Sequence, residues 1–200
     1  GLLAHVDIVE EIAKAIASKC ELKFSVKMRL GWENVDEWRP VLDILNEIPL
    51  EQITIHPRIG TQQYKGTVNM EAFDEFYALC KHPIIYNGDV TSIKDIQNLE
   101  EKYPKLAGVM IGRGLLTRPS LSSEYVTGVE ISWEKRRPVL LDFHNRLKAH
   151  YETTANSEAQ VHSRLRLFWE YMEEELGKKV YKKIMKAGNL KNYLNAVREI

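Results

Sequence analysis

Strand-like and helix-like stretches alternate through the first two-thirds of this chain, and that alternation restricts the fold more than any other feature. Runs at 24–30 (FSVKMRL), 52–58 (QITIHPR), 83–89 (PIIYNGD) and 108–114 (GVMIGRG) are β-prone. Stretches 6–18, 35–46, 70–80 and 92–102 place apolar residues at helical spacing. A strand followed by a helix in every ~25 to 30 residues builds a parallel sheet. The pattern then stops. From about Trp133 onward the spacing of Val139, Leu140, Phe143 and Leu147, then Leu165, Phe168, Trp169 and Met172, then Val180 and Ile184, predicts helices and no strand. A stretch rich in Ser, Thr and Gly at 119–131 lies between the two regimes. The expected plan is an α/β domain over 1–128 and a small helical domain over 129–200.

With 44% apolar and 28% charged residues among 200, the chain can bury a core and is not disordered in character. No apolar run is long enough for a membrane span, and acids stand near the N-terminus where a secretory leader carries basic residues. Cys20 and Cys80 form neither a disulfide framework nor a zinc spacing, and both sit where packing thiols are expected. His144, His150 and His162 have no recognised ligand spacing, so no metal is expected. A reducing, cytoplasmic setting fits best. The net charge is zero but unevenly spread, because 178–191 holds six lysines and no acid. Lys178, Lys179, Lys182, Lys183, Lys186 and Lys191 are therefore a candidate polyanion footprint. A solvated helix face would carry the same residues.

Alternation gives each of the first two strands one greasy and one cationic face. Phe24, Val26, Met28 and Leu30 oppose Ser25, Lys27 and Arg29; Ile53 and Ile55 oppose Thr54, His56 and Arg58. Strands of a doubly wound sheet are covered on both faces and read as continuously apolar. Cations on successive strands instead favour the interior of a (β/α)8 barrel, whose inward face lines the active site near the strand ends. Pairing of Lys27 or Arg29 with buried carboxylates, and a purely structural His56, are the alternatives.

The third and fourth strands end in glycine-rich turns, Asn87-Gly88-Asp89 and Gly112-Arg113-Gly114, the first followed by the N-cap candidates Thr91 and Ser92. Glycine lets a backbone approach a phosphate, and Arg113 adds a cationic fork. Turns of this kind on successive strands match the phosphate site built after strands 7 and 8 of a barrel. The chain would then hold strands 5 to 8, with four strands expected on its N-terminal side.

VKMRLGW (26–32), ITIHPRIGTQQYKG (53–66), IIYNGDV (84–90) and GVMIGRGLLTRP (108–119) together resemble the C-terminal half of the flavin barrel of tRNA-dihydrouridine synthases. The likeness covers essentially the whole chain, is best over 26–119 and looser in the helices; Pro57 stands where a small residue is more usual. The resemblance implies FMN as cofactor, NADPH as electron donor and reduction of the C5–C6 bond of a uridine in tRNA. Carried over, it sets Lys27 at the polar edge of the flavin, where a cation stabilises negative charge on the reduced ring. It sets His56 at the flavin or its phosphate, and Asn87, Gly88, Asp89, Gly112 and Arg113 around the ribityl phosphate. The family's catalytic cysteine belongs to the barrel half expected upstream of Gly1, so no catalytic residue is assigned here, and the 200 residues are expected to be an inactive fragment. The lysines would position tRNA through its phosphates without reading sequence.

Two other functions fit the same residues: a flavin oxidoreductase of a small metabolite, and a non-enzymatic RNA-binding module on a residual half-barrel. Half of a barrel also leaves two open sheet edges, which invite self-association.

Overall fold

The computed structural model describes residues 1–19 and 22–200, so Cys20 and the packing role expected for it lie outside the described residues. Packing divides the chain into two compact units, Gly1–Gly112 and Arg113–Ile200.

The first unit is α/β. Helix α1 (Val6–Lys19) leads into β1 (Ser25–Gly31), α2 (Trp38–Leu45), β2 (Gln52–Ile59), α3 (Met70–Leu79), β3 (Ile84–Tyr86), α4 (Ile93–Lys102) and β4 (Leu106–Val109). All four strands are parallel and pair in chain order, β1-β2-β3-β4. The order contains no reversal of the kind that splits a doubly wound sheet into two halves. Helices α3 and α4 begin where side chains satisfy their first amides. Asn69 accepts the Ala72 N–H at 2.9 Å to start α3, and Ser92 and Asp95 form a reciprocal capping box at the start of α4.

The greasy strand faces and the helices bury one another. Leu30, Ile53, Ile55, Trp38, Phe73 and Phe76 are fully or almost fully buried, each contributing about 1.5 to 3 kcal/mol of hydrophobic stabilisation. Aromatic edges meet faces, with Trp38 against Phe76 at 5.3 Å and Phe73 against Tyr86 and Tyr103 at 5.0 and 4.9 Å between ring centroids. A cavity of about 590 Å³ remains beside the outer strand β1, bounded by α1, α2 and the residues at the strand's C-terminal end.

The second unit is helical throughout its described length: α5 (Arg113–Thr117), α6 (Leu121–Thr127), α7 (Trp133–Thr154), α8 (Glu158–Leu167), α9 (Glu173–Lys186) and α10 (Leu190–Val197). Val161, Leu165, Trp169, Met172, Ile184, Tyr193, Ala196 and Val197 form its core. His144 is buried with them. Glu124 is completely buried too, and is held by Arg118 and Ser120.

Two sequence-based expectations need correction. The fourth strand is Leu106–Val109 rather than 108–114, and Arg113 already begins a helix. The stretch 119–131 is not a bare joint, since it contains α6, which stops at the left-handed Gly128. The expected boundary at 128/129 therefore falls between two helices of the second unit. Among the described residues no helix is long and apolar enough to cross a membrane, and no group of His, Cys, Asp or Glu is arranged to hold a metal.

Candidate active site

Register brings the cationic residues of β1 and β2 onto one face. Lys27 stands opposite Thr54 and Arg29 opposite His56. Arg58 lies two residues beyond His56, hence on the same side of the sheet. His56 and Arg58 are buried, Arg29 partly so, and Lys27 is accessible.

Each member is held differently. Arg29 donates through Nη1 to the carbonyls of Ile59 at 2.8 Å and Gln63 at 3.2 Å, and its guanidinium lies over the Tyr64 ring at 5.7 Å. These contacts are not the carboxylate pairing considered from sequence. Arg58 is the residue that does pair with a carboxylate, that of Asp89. It also donates to the Lys65 carbonyl at 2.7 Å and the Gly66 carbonyl at 2.8 Å. One side chain thus ties β2 to the loop that follows it and to the Asn87–Asp89 turn. Its Nε is buried without an acceptor among the described residues.

The turn itself is closely built. Asn87 donates its side-chain amide to the Met110 carbonyl at 2.8 Å, linking the ends of β3 and β4. A Cβ on Gly88 would overlap the Tyr86 ring, so the position tolerates only glycine without rearrangement. Among the described residues nothing lies within 4 Å of where a Gly112 Cβ would point, which leaves that backbone open to a ligand. Arg113 is the first residue of the second unit.

The cations act on one another. Burial lowers the pKa of Lys27, and Arg29 lowers it further. Burial first, then Arg29, Lys27 and Arg58, push His56 down to about 4, with Asp89 opposing. His56 is consequently a neutral imidazole at pH 7, and the face carries an excess of positive charge.

Sequence reasoning singled out Lys27 and His56 by alternation, and both lie on this face. It gave no role to Tyr64, whose ring is 59% exposed and tilted toward His56 at 6.2 Å between centroids. It placed Arg58 on the same face but gave it no role. An aromatic residue in the loop directly after a strand bearing His and Arg was the available signal for Tyr64. Cys80 is half-buried at the end of α3, and burial pushes its thiol upward, the opposite of what a reactive thiolate needs.

Lys178, Lys179, Lys182, Lys183, Lys186 and Lys191 are all exposed. Gly177, at φ 73°, interrupts α9, and Lys178, Lys182 and Lys186 follow at four-residue steps along one face with Lys179 and Lys183 alongside. Lys183 is engaged by both Glu199 carboxylate oxygens, at 2.8 and 2.7 Å.

The profile of the dihydrouridine synthase family matches residues 1–199. The chain belongs to the dihydrouridine synthase family. It is similar to a "Probable tRNA-dihydrouridine synthase" of Rickettsia bellii, 28% identical over 153 residues, which cover 76% of this chain and 47% of the relative. It is likewise similar to a tRNA-dihydrouridine(16) synthase of Pseudomonas syringae pv. tomato, 28% identical over 145 residues covering 68% and 44%. A tRNA-dihydrouridine(16) synthase of Aquipseudomonas alcaligenes is 30% identical over 142 residues, with the same coverage. This member of the family thus spans about half the length of the curated relatives it matches.

Proposed function

We propose that this chain supplies half of the flavin site and the tRNA-binding helices of an FMN-dependent tRNA-dihydrouridine synthase that uses NADPH as reductant. On this reading its sheet is strands 5 to 8 of a (β/α)8 barrel. The observation that carries the proposal is the cationic face of Lys27, Arg29, His56 and Arg58, joined through Asp89 to the glycine turn after β3. Crowded positive charge with an orphaned guanidinium Nε suits an electron-rich, anionic guest.

FMN fits that donor set, and when bound it would supply hydride chemistry. Lys27 would hold the polar edge of the ring. Neutral His56 can donate or accept one hydrogen bond without adding charge. The backbone at Gly88 and Gly112 would admit the phosphate, with Asn87 and Asp89 shaping the turn and Arg113 following directly in the chain. Tyr64 would close the side above Arg29 and exclude water. We assign no proton-donor role to Cys80. The exposed lysines of α9 and Lys191 would neutralise tRNA phosphates.

The test is to express the polypeptide that contains these residues together with the remaining half of the relatives' length, and to measure bound flavin and dihydrouridine in tRNA by mass spectrometry. Yellow protein that converts uridine with NADPH is expected. Loss of flavin on Lys27→Met supports the site as drawn, whereas folded, colourless wild-type protein overturns it.

A further inference from the structure

On the tRNA-modifying reading above, we infer that Trp32 contacts the RNA, its indole serving as a stacking platform for an unpaired nucleobase beside the cationic face. Trp32 directly follows β1 and is 46% exposed, whereas Trp38 and Trp169 are completely buried. It is open without being loose. The Glu37 carboxylate accepts the backbone N–H groups of Trp32 at 2.7 Å, Glu33 at 3.1 Å and Asn34 at 2.8 Å, fixing the chain on one side. On the other, the Trp32 carbonyl accepts the Thr61 N–H at 2.9 Å, and the Gly31 carbonyl accepts the Gly60 N–H at 2.8 Å. The indole itself lies on Gly60, where a Cβ would overlap the ring. The backbone is pinned at both ends and the ring is seated against a residue that has no side chain.

Lys27, Arg29 and Gln63 border the same cavity of about 590 Å³ as Trp32 and Gly60. A rigid aromatic surface beside positive charge is the combination by which proteins hold single-stranded nucleic acid: Lys27 and Arg29, the second held in place by its own partners, supply a field that attracts the phosphates, and the ring takes a base. Bases inside a duplex are already stacked, so the ligand is a base in a loop or one turned out of its stack.

The measurement is the affinity of the FMN-loaded protein for a short, fluorescein-labelled, uridine-rich single-stranded RNA at fixed low salt. It compares the wild type with Trp32→Phe and with Trp32→Leu, which keeps apolar bulk but removes the π face. Trp32→Phe should bind within about threefold of wild type, and Trp32→Leu should bind about tenfold or more weakly, the scale of one lost base–aromatic stack. Unchanged melting temperature and flavin content in both variants would assign the loss to the ring. Trp32→Leu binding as wild type does overturns the platform and leaves the tRNA reading standing. A wild type that binds no RNA overturns both.

Discussion

Arg29 stands in register opposite His56 across β1 and β2, and its guanidinium is one reason the imidazole is neutral at physiological pH. Burial is the larger cause, with Lys27 and Arg58 adding to Arg29. Arg29→Met should therefore move the His56 pKa upward from about 4, partway toward its ordinary value of 6.5. Titration of the His56 ring by NMR checks this. An unmoved pKa would mean that Arg29 has no part in setting it. The same variant removes the donor that holds the Ile59 and Gln63 carbonyls, so amide exchange after β2 should quicken as well.

Arg58 joins three chain segments from a position that is 1% exposed. Arg58→Leu takes one donor from the Gly66 carbonyl, leaves the Lys65 carbonyl only the Gln62 side-chain amide, and removes the guanidinium that faces Asp89. Breaking a buried pair costs about 3 to 5 kcal/mol, and the partial exposure of Asp89 brings the expectation down to about 2 to 3 kcal/mol. Arg58→Lys should recover little of it, because one ammonium cannot span the fork of a guanidinium. Urea denaturation measures both, and a loss below about 0.5 kcal/mol would show that the connection is ornamental to stability.

Much of this unit was legible because alternation and helical spacing are periodic signals. β1 and β2 lie within a residue or so of where FSVKMRL and QITIHPR put them, and the shared face of Lys27, Arg29, His56 and Arg58 follows from a period of two. The fourth strand was misplaced because GVMIGRG is interrupted by glycines and carries no alternation; the pairing of Leu106 with Ile84 sets its true start. Arg58 and Asp89 are far apart in sequence, and only the pairing of β2 with β3 shows that they meet. Trp32 and Tyr64 lie in loops, where no period exists and position depends on hydrogen bonds such as those to Glu37.

Gly88 is where the turn and the core compete for one volume. A methyl group there would strike the ring of Tyr86, which is 3% exposed and donates its hydroxyl to Met70 Sδ at 3.4 Å. Gly88→Ala should cost about 1 to 3 kcal/mol through overpacking and weaken flavin retention more than overall helicity. Gly88→Ala combined with Tyr86→Phe, which removes the nearest atom, should restore part of the loss. No recovery would place the clash on the ring carbons Cζ and Cε1, which the Phe keeps.

The buried histidine of the helical unit gives stability a pH dependence of known sign. Tyr193 has one hydroxyl proton, which goes to the Leu165 carbonyl at 3.1 Å, and its oxygen accepts the Trp169 indole N–H at 3.0 Å. His144 Nε2, at 2.8 Å, must then donate to that oxygen, so the neutral ring carries its proton on Nε2 and leaves Nδ1 bare. Burial, with Lys148 contributing less and Asn145 opposing, pushes His144 down to about 4. The unfolded chain takes up the proton near 6.5 while the folded one resists it. The stabilisation is complete above about 6.5 and is lost as pH falls toward 4, by up to about 3 kcal/mol. His144→Gln should flatten the pH dependence of unfolding in that window by up to one proton. An unchanged slope would show that His144 is not its source.

Lys182 and Lys183 are neighbours on α9 with different electrostatic surroundings, since only Lys183 is engaged by Glu199. A cation already partnered by a carboxylate releases fewer counterions when it meets a phosphate. Lys182→Gln should weaken tRNA binding and reduce the slope of log affinity against log salt by about 0.7 to 1, the signature of one lost phosphate contact. Lys183→Gln should do less of both. Glu199→Gln should act in the opposite direction, freeing Lys183 to tighten binding and steepen the salt slope. Filter binding across a salt series separates the three variants. Equal slopes for all would place the RNA elsewhere on the protein and reduce the lysines of α9 to a solvated face.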